Sequence, residues 1–321
     1  MKNIHQWIGP YLKQRLTPKP RIDGPIDVYF SLMDHFEPYW LGVDKKTADG
    51  RVETWCRNYP LMARRHKDSA GRPPQHTYFY PEEEYDADAL DQVGLLCRQG
   101  MGDVEIHLHH DNDTAAGLTE KIERFKKLLF EKHGFLKKNP KTGQVEYAFI
   151  HGNWALDNSA PGGVDCGVNN ELTILKETGC YADFTMPSAP HPTQTKKINS
   201  IYFAAGDPDR PKSHNIGVDV KVGHWDEAAF LLIQGPLALN WSNRKWGFLP
   251  RIENAEITSE NPPTAERVSL WGRVGIHVKG HPQAIFIKTH THGLQEKNLA
   301  AFFGGGRVGF VVFKSGENLF F

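Results

Sequence analysis

The sequence predicts an α/β protein built on a parallel sheet. Three observations predict it. Apolar, β-branched segments alternate with amphipathic helical segments along the chain. Several apolar segments end in histidines and carboxylates, as strands do at the C-terminal face of a barrel. The 321 residues suffice to bury a substantial core without covalent staples.

The elements follow in order. Residues 1–25 form a helical entry segment, with Ile4, Trp7, Ile8, Tyr11 and Leu12 at helical spacing and Pro18, Pro20 and Pro25 behind them. Residues 26–34 (IDVYFSLMD) read as a buried strand, and 51–68 as helix. HTYFY (76–80) is a second strand stopped by Pro81. Residues 86–100 form a helix, acidic at its start, with Leu90, Val93, Leu96 and Cys97 on one side and Gly100 at its end. Residues 103–109 are a third strand, 114–134 an amphipathic helix closed by Gly134, and 145–153 a fourth strand. Residues 169–180 are helix, followed by the short strand YADFTMP, and the apolar segment 228–235 suits a strand. Residues 240–283, rich in Trp, Asn, Pro and Arg, read as an irregular insertion. The last strong strand spans 282–293, and LQEKNLAAFFGG opens a closing helix. Gly304-Gly305-Gly306 reads as a turn, and 1–321 as a single domain.

Composition excludes several classes. Lys+Arg and Asp+Glu both number 38, so the chain lacks the basic footprint of a nucleic-acid binder and fits a small or neutral sugar better than a polyanion. With a mean hydropathy of −0.51 and no long apolar run, no membrane span is expected. The N-terminus has no secretory h-region, so a cytoplasmic protein is expected. Cys56, Cys97, Cys166 and Cys180 form no C-x-x-C pair and are expected as reduced, mostly buried thiols. No G-x-G-x-x-G follows the first strand, which disfavours a dinucleotide fold.

Sixteen histidines are present, and some of them cluster at four strand ends. These ends are Met33-Asp34-His35-Phe36-Glu37-Pro38, the run from Glu105 through His107, His109, His110, Asp111 and Asn112 to Asp113, His151-Gly152-Asn153-Trp154, and His290-Thr291-His292-Gly293. Residues two apart on a strand share a face, so His107 pairs with His109 and His290 with His292. His109 and Asp113, four apart, meet across one turn of helix or a tight loop. Imidazole and carboxylate suit zinc and other borderline divalent metals. Burying the ionisable groups of 107–113 unpaired would cost several kcal/mol, so the run reads as a metal or acid–base site. Trp40 and Trp154, just beyond site-bearing strands, offer faces for a sugar ring, whereas Trp225, Trp241, Trp246 and Trp271 are expected mainly in the core. Glu82-Glu83-Glu84 reads as a solvated turn. His5, His66, His76, His133, His191, His214, His224, His277 and His281 are assigned surface or structural roles.

In order and motif shape, residues 26–300 resemble the polysaccharide deacetylase superfamily, the NodB-homology or carbohydrate esterase family 4 proteins. Ser31-Leu32-Met33-Asp34 stands where that family carries T-F-D-D, so Asp34 matches a metal-binding Asp. Glu105-Ile106-His107-Leu108-His109 follows the pattern of the family's histidine motif, with His109 matching its first metal histidine and Asp113 in the place of its second. Ile287-Lys288-Thr289-His290 resembles the late L-x-H strand, so His290 matches the catalytic acid. Two departures are plain. Met33 occupies the position of the usual general base, and Phe149-Ile150-His151-Gly152-Asn153 stands where an arginine–proline motif belongs.

The resemblance implies a distorted (β/α)7-type barrel and a metal-dependent hydrolase that removes an N- or O-acyl group, acetyl foremost, from a carbohydrate or sugar conjugate. Asp34, His109 and Asp113 would hold a divalent ion, zinc favoured, and His290 would act as acid. Asp111 is the first choice for base. His35, Glu37, Trp40, His107, His110, His151, Asn153, Trp154 and His292 would contact substrate or support the ligands. The alternatives are a glycoside hydrolase using carboxylates among Asp34, Glu37, Asp111 and Asp113, and a non-catalytic carbohydrate-binding or assembly protein.

Overall fold

A computed structural model describes residues 2–304. The helices are α1 (Ile8–Leu16), α2 (Lys45–Ala63), α3 (Ala87–Arg98), α4 (Ala115–Lys127), α5 (Glu171–Glu177), α6 (Ala265–Val274) and α7 (Glu296–Phe303). The strands are β1 (Asp27–His35), β2 (His76–Pro81), β3 (Gly102–Leu108), β4 (Lys137–Lys138), β5 (Val145–His151), β6 (Cys180–Asp183), β7 (Ile201–Ala204), β8 (Gly217–Asp219), β9 (Phe230–Ile233), β10 (Ala238–Lys245), β11 (Leu249–Glu253) and β12 (Ala284–Thr291). Side-chain oxygens fix several helix starts: Asp44 accepts from Thr47 N, Asp86 from Asp88 N and Ala89 N, Thr114 from Gly117 N and Thr264 from Arg267 N. Each satisfies backbone donors that the first helical turn leaves unpaired.

The ten-stranded sheet has the order β12-β1-β2-β3-β5-β6-β9-β7-β8, with β4 appended to β5. Pairing from β12 through β9 is parallel, and β7 runs antiparallel to both β9 and β8. The fold is therefore the expected α/β class with a largely parallel sheet. The sheet does not close: β12 and β8 remain its edges. Segment 276–279 spans the gap through isolated contacts, Lys279 N to Val220 O, Val222 N to Lys279 O and Phe286 N to Ile276 O.

Register sorts the side chains onto two faces. His35 pairs with Phe79 and Met33 with Thr77 and His290. Met33, Phe79, Ala148 and Ile150 pack together on the inner face. The intervening residues Leu32, Tyr78, Ile106, Leu108 and Phe149 belong to the main core under the helices. Trp55 of α2 lies at its centre, fully buried, stacked on Tyr59 with ring centroids 5.5 Å apart and edge-on to Phe36. Trp7 and Tyr11, at and just after the start of the entry helix, pack on Leu237, Ala238 and Leu239, so that amphipathic stripe is covered by its own chain.

Residues 240–283 are more regular than expected. They hold most of the antiparallel β10–β11 hairpin and α6, whose Arg267 and Trp271 bind the buried Glu253 carboxylate. Trp271 is core, but Trp225, Trp241 and Trp246 are exposed, contrary to the core assignment. The hairpin projects Trp241 and Trp246 outward, because its strand residues past Asn240 have no second layer against them. Of the glycine turn, Gly305 and Gly306 lie outside the described residues.

Replacing Trp55 by Ala removes the centre of this core. The expected loss is about 3–5 kcal/mol of unfolding free energy, read by denaturant titration. A loss below about 1 kcal/mol would show that the helices are held to the sheet elsewhere.

Candidate metal centre

The parallel strands β12, β1, β2 and β3 all present their C-terminal ends on one side, and the candidate site lies there. β1 ends at His35, after which Glu37 N donates back to His35 O, 3.1 Å. This turn folds the Glu37 carboxylate beside the His35 ring. Arg51 of α2 holds the turn by donating to Pro38 O and Trp40 O. β3 supplies His107, and His109 follows one residue past its end.

Three imidazole nitrogens converge on one carboxylate oxygen. Around Glu37 Oε1 lie His107 Nε2 at 3.2 Å, His109 Nε2 at 3.7 Å and His35 Nδ1 at 3.9 Å. His35, Glu37 and His107 are all buried, with ligand atoms within 4.8 Å of one another. His107 Nδ1 lies 2.7 Å from Ile150 O, an acceptor only, so Nδ1 carries the proton and Nε2 presents a lone pair. Burial first, then the neighbouring His109, pushes His107 down to about 3 and keeps it neutral. Burial, with His292 next, likewise holds His35 well below the usual histidine range. Burial raises Glu37, and its Oε2 has no hydrogen-bond partner. The pocket thus gathers acceptors with few donors. Buried polar groups are normally partnered, so this arrangement asks for a cation or a proton.

At the rim, His109 Nδ1 bonds closely to Glu83 Oε1, and the two side chains are 31 % and 35 % exposed. Burial opposes the charge on each, but their mutual hydrogen bond wins: His109 is raised and Glu83 lowered. A Cβ at Gly152 would overlap the His109 ring, so glycine is what lets that ring lie against β5. His292 is half-buried, its ring 4.6 Å from His35 and 6.1 Å from Trp40.

Several expected site residues have other tasks. Asp34 alternates to the helix-covered face, where it meets His76 Nε2 at 2.8 Å and accepts from Gly293 N. Asp113 pairs with Lys121 Nζ and accepts from Thr114 N. Asp34, His109 and Asp113 are therefore not gathered into one group. Asp111 accepts from Asp165 N and Asn112 Nδ2, fixing a loop. Asn153 reaches Asp165, and Trp154 lies 5.5 Å from the His191 ring. His290 is buried, with its ring 6.4 Å from His35 and Nδ1 unpartnered, and burial plus Lys288 holds it well below the usual histidine range. Met33 sits in the apolar inner cluster. His110 and His151 lie in a second buried group with Cys166 and Glu171.

Sequence reasoning missed Glu83, Glu84, Cys166 and Glu171. The acidic turn is not simply solvated: Glu82 binds Arg124, Glu83 binds His109, and Glu84 accepts from Tyr39 N and is pushed up to about 7 by burial. The turn directly follows β2, a parallel strand end like the others, and that was the available signal. Comparison with family models, curated proteins and solved structures found no match to the chain. Among the described residues no helix is long and apolar enough to cross a membrane.

Removing Asp34 by Asp34→Ala leaves His76 buried without its partner. The expected cost is about 3–5 kcal/mol of stability, measured by urea unfolding. A change under about 1 kcal/mol would contradict a structural role for the Asp34–His76 pair.

Proposed function

We propose that the chain is a metal-dependent hydrolase whose ion is held by His35, Glu37 and His107, and that its substrate is an acylated carbohydrate. The observation that carries the reading is the lone pair of His107 Nε2 facing Glu37 Oε1 at 3.2 Å, with His35 Nδ1 beside it at 3.9 Å. Two imidazoles and a carboxylate are a donor set for zinc or a similar divalent ion, and three protein ligands leave positions open. When bound, such an ion supplies Lewis-acid polarisation of an acyl oxygen and acidifies water to near neutral pH.

The chain's own residues do the rest. Ile150 O fixes the tautomer and tilt of His107, an outer contact of the kind that tunes a ligand. Glu83 holds the proton on His109 Nδ1, which leaves Nε2 at the rim to carry the proton that a leaving group takes. This gives His109 the acid role that the resemblance assigns to His290. His290 is too deeply buried and too firmly neutral to serve as readily. Trp40, beside His292, offers a flat face to a sugar ring. On this reading the open sheet is a distorted barrel of the deacetylase kind. The carbohydrate and the acyl group rest on the sequence resemblance and on the placing of Trp40.

Metal analysis of the purified protein, paired with acetate release from N- and O-acetylated sugars, tests the proposal. Glu37→Gln and His107→Ala are expected to lose an equivalent of metal and all acetate release, while Asp34→Asn keeps its metal. Glu83→Gln should retain the ion and lower turnover roughly 10–100-fold. Release of reducing sugar without acetate would favour the glycoside hydrolase, and sugar binding without turnover the non-catalytic protein. Full metal content in Glu37→Gln would overturn the ligand assignment.

A further inference from the structure

The opposite face of the sheet carries a second set of ligand-type groups. His110 lies beyond β3, His151 ends β5, Cys166 sits in the loop before α5, and Glu171 is the first residue of α5. All four are buried, and their ligand atoms lie within 4.8 Å of one another. Glu171 Oε1 is 3.2 Å from His110 Nε2 and 3.4 Å from His151 Nε2, and Glu171 Oε2 is 3.6 Å from Cys166 Sγ.

Hydrogen bonding alone leaves this cluster incomplete. His151 Nδ1 bonds closely to Gly152 O, an acceptor, so its proton is there and Nε2 is a lone pair aimed at a carboxylate. That Nε2 has no hydrogen-bond partner although it is fully buried. Cys166 Sγ receives the N–H of Val168 at 3.5 Å while burial and the neighbouring Glu171 charge push the free thiol up, and Glu171 Oε2 receives Asp157 N at 2.6 Å. The side chains of His110, His151 and Glu171 have no exposed surface, in contrast to His109 and Glu83 at the rim of the first site.

We propose that His110, His151, Cys166 and Glu171 hold a second, structural ion of the zinc class. Sulfur, two imidazole nitrogens and a carboxylate oxygen are a borderline-soft donor set, and four protein ligands without an open side are the pattern of a closed site. As the metal–sulfur bond forms, the Cys166 proton leaves to solvent, and nothing is oxidised or reduced. The ion ties the start of α5 to the ends of β3 and β5, and so fixes the chain just beyond His109. The inference is independent of the hydrolase reading, because the first site contains no sulfur.

Cobalt(II) separates the two sites, since thiolate ligation gives a charge-transfer absorption in the near ultraviolet. Protein produced with cobalt in place of zinc is expected to bind two equivalents and to show that band. Cys166→Ser should lose the band and one equivalent, whereas Glu37→Gln should keep the band and lose the other. If Cys166→Ser does not fold, zinc X-ray absorption on the unaltered chain replaces it, with a zinc–sulfur path at about 2.3 Å expected. Cobalt-loaded protein without the band, a band that survives Cys166→Ser, or a zinc spectrum lacking sulfur would overturn the second site. Full metal content in Glu37→Gln with the band intact would overturn only the first.

Discussion

The parallel ladder through β12, β1, β2 and β3 is the constraint on which the site depends. Its register sets Met33 beside His290, His35 beside Phe79, and Pro81 beside His107. Because alternate residues take opposite faces, the ladder decides which residues can meet at its C-terminal end. His35 and His107 reach the inner face, where Glu37 turns in to join them. Asp34, one residue away, is committed to the other face and to His76. Slipping one strand by a residue would exchange the two sets.

Desolvation gives the inner site its chemistry. Burial makes charge on His35 and His107 expensive and raises Glu37. A neutral imidazole whose other ring N–H is held by an acceptor, as Ile150 O holds that of His107, is what a divalent ion requires of a ligand. The rim differs: Glu83 accepts the N–H of His109 Nδ1 across a close contact, and both side chains stay partly exposed. Burial acts against charge on both His107 and His109, and the carboxylate of Glu83 at the rim is what separates them, although they are two residues apart.

The strongly patterned elements were legible in the sequence. β1, β2, β3, β5 and β12 and helices α2, α3 and α4 follow apolar runs and helical stripes, because burial of one face dictates both. β7 and β8 are four and three residues long, too short for a period to register. The β10–β11 hairpin carries polar and exposed residues through most of β10, so it read as irregular. Within the site, His35, Glu37 and His107 stood out as candidates, but the family pattern drew the metal role to Asp34. Only the register showed that Asp34 faces the helices. Glu171 carries no sequence signal beyond its place in the 169–180 helix, and Cys166 is expected only as a buried thiol. They lie 61 and 56 residues from His110, in the connection from β5 to β6, and meet it only because that connection packs over the ends of β3 and β5.

The central claim is that the Glu37 carboxylate and its facing imidazoles surround an ion. Anomalous diffraction at the zinc edge from crystals of the intact protein tests it most directly. The account predicts a peak among His35 Nδ1, Glu37 Oε1 and His107 Nε2, with ligand distances of about 2.0–2.2 Å. No anomalous density there in zinc-supplied crystals, with Glu37 bonded to His107 through a shared proton, would contradict it.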